Sequence, residues 1–272
     1  MCAQLQAHYT GKKFSWQMQR LIPYSSVCAI MMAYGSGRHM TTLQGEERAA
    51  YVQGMFDRIA AQYNLMNRMM TAGQDMKWRR FVIAKANLKA GDTLLDLATG
   101  TGDIAFEALR TVPGIHAVGG DFSLGMMTVG QTQPLGDQVL WSGADALNLP
   151  FADEQFDAIT AGYLMRNVID IPRAFAEQRR VLKSGGRIVI LDTAPPPHNL
   201  LRPFIIGYLK YGIPTMGRIV SGNADAYKYL PESTQKFKTP DELAALMREA
   251  GFRNVQYKTF MFRTMAVHWG EK

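Results

Sequence analysis

The residues with the clearest chemical potential fall in one stretch, Asp96-Leu97-Ala98-Thr99-Gly100-Thr101-Gly102-Asp103. Leu94 to Ala98 reads as a buried parallel strand that runs into a glycine turn, and Ile104 to Arg110 then has helical spacing. Gly100 and Gly102 carry no Cβ to keep a ligand off the backbone, and the helix that follows turns unpaired N–H groups toward it. Such a turn cradles a polar ligand.

Glycine turns of this kind serve nucleotides, dinucleotides and S-adenosylmethionine. A phosphate-binding Walker loop needs Gly-Lys-Ser/Thr, and a dinucleotide fingerprint a third glycine where Ala105 stands, although an alanine is tolerated there. The acids favour the last class. Asp96 before the turn and Asp103 after it repel a pyrophosphate but can hold the ammonium of a bound amino acid. Asp121 ends the next strand, where a carboxylate suits the two hydroxyls of a ribose. Val139 to Trp141 is a short strand, and Asp145-Ala146 beyond it can bracket an adenine, the carboxylate accepting from the exocyclic amine.

Phe156 to Ala161 is the fourth strand, with Gly162-Tyr163-Leu164-Met165-Arg166-Asn167 at its carboxyl end, a catalytic address. Arg166 is there either a surface ion-pair partner or a cation aimed into the cleft, and spacing leaves both open.

The elements that must position these groups alternate strand and helix. Gly45 to Phe81 is helical, read as two helices with Tyr51, Met55, Ile59 and Tyr63 at spacings of four, and Thr71 to Trp78 reads as a turn and a new helix. This region should lie over the carboxyl end of the sheet. Ser123 caps the helix after Asp121. Ile171 to Leu182 is a helix stopped at Lys183-Ser184-Gly185-Gly186, and Arg187 to Asp192 is the fifth strand. After Pro195-Pro196-Pro197 comes an apolar, aromatic insertion over 198–230 in which Arg202, Lys210 and Arg218 recur. It reads as an interfacial helix, basic on one side and apolar on the other, or as an ordinary lid packed on the sheet. Thr239-Pro240-Asp241-Glu242 starts a helix to Ala250, stopped at Gly251, and Val255 to Phe260 and Met265 to Trp269 are two closing strands.

The 272 residues, 47% hydrophobic, suffice for one sizeable core. Cys2 and Cys28 are the only cysteines and the five histidines are isolated, so neither a disulfide framework nor a metal site is supported, and a reducing cytoplasm fits. No G-x-S-x-G elbow supports a serine hydrolase. Of the net charge of +7, Lys12, Lys13, Arg20 and Arg38 supply four units with no acid before residue 41, leaving +3 for the rest and little support for nucleic-acid binding. The apolar run Leu21 to Tyr34 is shorter than the roughly 20 residues a membrane span needs. Residues 1–44 are therefore expected to be an extension outside the functional unit, with Met40 as the natural start, and 45–272 the functional unit with a lid at about 195–235.

Taken together, residues 51–270 resemble a class I S-adenosylmethionine methyltransferase and, more narrowly, the ubiquinone/menaquinone biosynthesis C-methyltransferase (UbiE) family. Arg180-Val181-Leu182-Lys183-Ser184-Gly185-Gly186-Arg187-Ile188-Val189-Ile190-Leu191-Asp192 looks like one family signature, and Leu164-Met165-Arg166-Asn167-Val168 with Asp170 like another. Gly222-Asn223-Ala224-Asp225-Ala226-Tyr227-Lys228-Tyr229-Leu230 resembles the family's stretch inside the insertion. The departures are Asn64 where the family usually has Asp, Thr71 for Ser, Asp75 for His, and Gly162 where many members have Ser.

The resemblance implies a Rossmann-like α/β fold: a seven-stranded, mostly parallel sheet with its last strand antiparallel and helices on both faces. The cofactor it implies is S-adenosyl-L-methionine, with contacts at Thr101, Asp121, Asp145, Ala146 and Gly162, to which the turn and its surroundings add Asp96, Gly100, Gly102 and Phe122 as candidate cofactor-binding residues. The reaction it implies is C-methylation of a lipophilic polyprenylated quinol, with Arg166 stabilising the oxyanion and Asp225, Tyr227 and Asp170 as candidates for the base. The alternative is O- or N-methylation of a soluble small molecule, favoured by the departures around Asn64. No metal and no nucleic acid are expected. The expected setting is the cytoplasm, at the inner face of a membrane, and a homodimer is compatible.

Overall fold

The computed structural model describes the backbone of residues 2–10, 13–21, 45–221 and 224–272. The chain forms two units, Met1–Tyr51 and Val52–Lys272. The first holds β1 (Cys2–Thr10) and β2 (Lys13–Leu21), an antiparallel hairpin in which Thr10 faces Lys13 and Cys2 faces Leu21. Beyond Leu21, the apolar run to Tyr34 and the expected start at Met40 lie outside the described residues.

Three α-helices precede the main sheet, one more than the two read over Gly45 to Phe81, and the turn and new helix read over Thr71 to Trp78 are present. They are α1 (Gly45–Ile59), α2 (Tyr63–Met70) and α3 (Asp75–Ala86). The break between the last two is chemical: Ala72 and Gly73 sit at φ 49° and 74°, in the left-handed region that ends a helix.

The Rossmann-like α/β core follows in chain order as β3 (Thr93–Leu97), α4 (Asp103–Thr111), β4 (His116–Asp121), α5 (Leu124–Gln131), β5 (Val139–Gly143), β6 (Phe156–Gly162), α6 (Ile171–Val181) and β7 (Leu182–Thr193). The lid comprises α7 (Arg202–Gly207), a π-helical turn Tyr208–Gly212, α8 (Ile213–Ser221) and α9 (Ala224–Lys236). The chain closes with α10 (Pro240–Glu249), β8 (Arg253–Phe260) and β9 (Met265–Glu271).

The seven strands lie in the order β5-β4-β3-β6-β7-β9-β8, parallel except that β9 runs antiparallel to both β7 and β8. Strands β3 and β6 are neighbours, yet the chain leaves β3 toward β4 on its other side. The sheet therefore has its topological switch between β3 and β6, and their carboxyl ends open into a crevice. Both faces are covered. Leu95, Leu97, Ile159 and Ile190 pack under Phe175 of α6 and Met247 of α10, and Leu94, Ala158, Val189 and Val267 under Trp78 of α3 and Ile104 of α4.

Local signals set the element ends. Ser123 accepts from the Met126 amide, and Thr239 with Glu242 forms a complete capping box. β7 begins at Leu182 rather than at Arg187, because the segment read as a glycine stop is drawn into the sheet across an irregularity between Phe156 and Ala158. Among the described residues, no helix is long and apolar enough to cross a membrane.

Candidate active site

The turn after β3 is built on left-handed backbone. Ala98, Gly100 and Gly102 have φ of 54°, 56° and 87°, and a Cβ on Gly102 would stand 2.7 Å from both the Phe106 and Trp141 rings. Strand alternation turns Asp96 inward, where it is fully buried and accepts from Thr99 Oγ1 and Thr160 Oγ1, each at 2.7 Å. Burial pushes its carboxyl up to about 6 against those two bonds. Asp96 thus braces the turn from behind, its carboxylate held by two threonine hydroxyls. Asp103 also has a protein partner, Arg79 at 3.0 Å, which in turn pairs with Asp75 at 3.3 Å. The departure at position 75 is part of that network.

Asp121 sits across the turn. Its carboxylate accepts from the Gly100 amide at 2.6 Å and the Ser123 amide at 2.7 Å, and burial outweighs them to push its pKa up to about 6. Two accepted bonds leave further acceptor positions on the two oxygens. The Phe122 ring beside it is half exposed. β4 and β5 pair as far as Asp121 with Gly143, and the Ala144 amide donates to the Asp121 carbonyl at 2.9 Å. That pairing brings exposed Asp145 and buried Ala146 to the same end of the sheet, with Asp145 Oδ1 accepting from the Leu147 amide at 2.9 Å. Asp57 of α1, which the sequence reading did not single out, accepts from the Gly125 amide at 3.0 Å and fastens the start of α5.

Thr101 is buried and donates to Asn64 Oδ1 at 2.8 Å. At Gly162 a Cβ would stand 2.9 Å from Ile104 Cδ1, so Ile104 fills the room a serine would need.

Immediately beyond Gly162 the chain enters a second, apolar compartment of about 600 Å³. Tyr163, at φ 61°, holds a conformation rare for an aromatic residue and turns its ring into this cavity. Arg166 lines it too, 4.8 Å over the Tyr163 ring and bonded through Nη1 to Asp192 Oδ1 at 2.8 Å. Both partners are buried, so of the two readings open for Arg166 the surface ion pair does not hold: its guanidinium lines the apolar chamber and Asp192 backs it. Burial disfavours the guanidinium, and the Asp192 carboxylate more than offsets this to hold its pKa above the usual value. Burial raises the pKa of the Tyr63 and Tyr163 phenols, so both stay protonated.

The wall opposite comes from α2 and the lid, including Met69, Met70, Phe204, Ile205 and Leu209. Tyr208 Oη donates to the Met70 carbonyl at 2.7 Å and ties lid to wall. Sequence reading missed Tyr63, Tyr163, Tyr208 and Asp192 as site residues. The only signal for Asp192 was its place at the carboxyl end of a strand.

The candidates for the base fare differently. Asp170 caps α6 by accepting from the Arg173 amide at 3.0 Å. Tyr227 is buried against Gly217, where a Cβ would come within 2.3 Å of its ring, and does not line the cavity. The structure thus places Asp170 at a helix cap and Tyr227 in helix packing. Asp225 lies in α9, outside the residues whose side chains are described. Among the described lining residues there is neither a carboxylate nor a histidine.

Known proteins can be set against this geometry. The chain is 50% identical over 221 residues to a protein of Desulfotalea psychrophila named ubiquinone/menaquinone biosynthesis C-methyltransferase UbiE, covering 81% of this chain and 90% of the relative. It is 43% identical over 227 residues to the demethylmenaquinone methyltransferase of Roseiflexus castenholzii, covering 84% and 95%. Its fold is similar to that of Haemonchus contortus phosphoethanolamine N-methyltransferase 2, solved in complex with S-adenosyl-L-methionine, with a TM-score of 0.55, 15% identity and coverage of 71% of this chain and 52% of that one. Residues 41–272 match the model of the ubiE/COQ5 methyltransferase family. The chain belongs to that family.

Proposed function

We propose that this protein transfers a methyl group from S-adenosyl-L-methionine to a ring carbon of a polyprenylated quinol. The observation that carries the reading is the pairing of two compartments at one crevice: a turn flanked by acids at the end of β3, and an apolar chamber at the end of β6 lined by Arg166, which Asp192 backs. Relatives named ubiquinone/menaquinone biosynthesis C-methyltransferase and demethylmenaquinone methyltransferase support it.

The residues at the first compartment fit the cofactor. Asp121 has acceptor capacity for ribose hydroxyls, exposed Phe122 offers a face to a purine, Asp145 suits its amine, and the Gly100–Gly102 backbone allows close approach. When bound, S-adenosylmethionine supplies an electrophilic methyl group. The chain's own residues then decide which atom receives it.

A quinol carbon becomes nucleophilic when a neighbouring hydroxyl loses its proton. The low-dielectric chamber strengthens the attraction between that oxyanion and the Arg166 cation, and the Tyr63 and Tyr163 phenols can serve as hydrogen-bond donors. Methyl transfer forms a carbon–carbon bond and breaks the carbon–sulfur bond. The ring carbon then sheds its own proton to regain aromaticity, and the oxygen takes one back, so one proton is released overall. Packing of Tyr163 and the lid must hold the ring within about 3 to 3.5 Å of the methyl group. The reduced acceptor is required because a quinone ring is electron-poor and has no hydroxyl proton to lose.

The test is a methyl-transfer assay on a demethylated naphthoquinol with and without reductant. Carbon-methylated product that depends on reductant supports the proposal. Equal rates without reductant, or product methylated on oxygen, overturn it and favour the soluble-acceptor alternative.

A further inference from the structure

The mouth of the apolar chamber is formed by two segments some sixty residues apart. On one side, Leu201 and Phe204 of the lid line the cavity and also face outward, Phe204 being 77% exposed, and neighbouring Leu200 is 94% exposed. On the other side is the turn between β8 and β9. Met261, Phe262 and Arg263 have φ of 44°, 54° and 66°, three successive non-glycine residues in the left-handed region. Side chains of this size rarely take that conformation, and such strain persists where the surrounding structure imposes it, often at ligand clamps. Here it puts Phe262 in the cavity wall with 67% of its surface exposed. The Ala194 amide donates to the Thr264 carbonyl at 2.8 Å, so the start of the lid and the hairpin turn are tied together.

Charge tells what covers this rim. Between Ala194 and Ser221 the chain has no Asp or Glu, while Arg202, Lys210 and Arg218 are basic, the last two exposed. Arg263 adds a cation at the hairpin. Exposed aromatic and aliphatic groups in a lid segment whose only full charges are cations match an anionic lipid surface. A chamber of about 600 Å³ takes a ring and the start of a chain, and the rest of a long isoprenoid tail must leave through the mouth.

We propose that this rim docks on an anionic bilayer, with Leu200, Phe204 and Phe262 inserted, so that the isoprenoid tail passes from lipid into the chamber without crossing water. The docking stands on the rim itself, whereas the passage of the tail rests on the quinol reading above. Full-length protein should co-sediment with phosphatidylcholine vesicles containing phosphatidylglycerol and much less with phosphatidylcholine alone. Leu200→Glu should weaken that binding at least tenfold, since an inserted leucine contributes on the scale of a buried one. Because Leu200 is outside the cavity lining, turnover of a short-chain quinol in solution should stay at the parent level. Lys210→Gln with Arg218→Gln should weaken binding about 25-fold, roughly fivefold for each charge. Phe262→Trp should gain fluorescence quenching by brominated lipid.

Binding that Leu200→Glu leaves unchanged overturns the proposal, as does a Phe262→Trp protein whose added fluorescence brominated lipid does not quench. A dimer in solution that ignores vesicles puts a second copy on the rim and overturns it too. Vesicle binding without methylation of any quinol overturns the substrate reading alone.

Discussion

The Thr101 hydroxyl donates to the Asn64 carboxamide oxygen at 2.8 Å, and this bond joins the glycine turn to α2. The same helix supplies Tyr63, Asn67, Met69 and Met70 to the apolar chamber. One short helix therefore touches both compartments. The departure from the family's usual Asp keeps a carboxamide oxygen as the acceptor and adds no charge.

Asn64→Ala strands the buried Thr101 hydroxyl, which should cost about 1 to 3 kcal/mol of stability. Cofactor affinity and turnover should fall together, because the helix positions both sites. Asn64→Asp restores an acceptor and should recover stability. Thermal unfolding and calorimetry check this, and a parent-like Asn64→Ala protein removes the link.

Asp121→Ala should weaken S-adenosylmethionine binding about 10- to 150-fold, equivalent to 1.5 to 3 kcal/mol for charge-assisted hydrogen bonds. The carboxyl titrates at about 6, so parent affinity should decline as pH falls through that value, whereas the Ala variant loses this contribution to the pH dependence. Calorimetry across pH 5 to 8 separates the two.

Arg166→Ala should lower turnover roughly 100- to 1,000-fold. It also strands the buried Asp192 carboxylate, a loss of about 3 to 5 kcal/mol. The double variant Arg166→Met, Asp192→Asn removes both charges and should regain stability without regaining rate. Recovery of turnover along with stability would show that Arg166 acts only through the fold.

Asp96 gives a stability test with the sign worked out. Its folded pKa of about 6 lies above the ordinary 3.8, so the folded state binds more protons between these values and stability falls as pH rises through that window. The size is on the order of 3 kcal/mol, from about two pH units at 1.36 kcal/mol each. Asp96→Asn should flatten that part of the profile in pH-dependent denaturant unfolding. An unchanged slope assigns the dependence to other groups.

Much of this was legible in the chain because it depends on near neighbours. The glycine turn, the Ser123 and Thr239 caps and the runs of apolar residues reflect hydrogen bonds and periodicities that span a few positions. The alternation of strand and helix then implied a parallel sheet, and the sheet put Asp121, Asp145 and Arg166 at one end. Only tertiary structure decided which way those side chains face and what meets them. Asp96, turned inward by strand alternation, meets Thr160 only because β6 lies beside β3, sixty-four positions away. Arg166 is a buried partner of Asp192 because β6 and β7 lie side by side. Tyr227 became packing because Gly217 leaves room for its ring. Burial and desolvation are properties of the assembled shape, and no spacing along the chain encodes them.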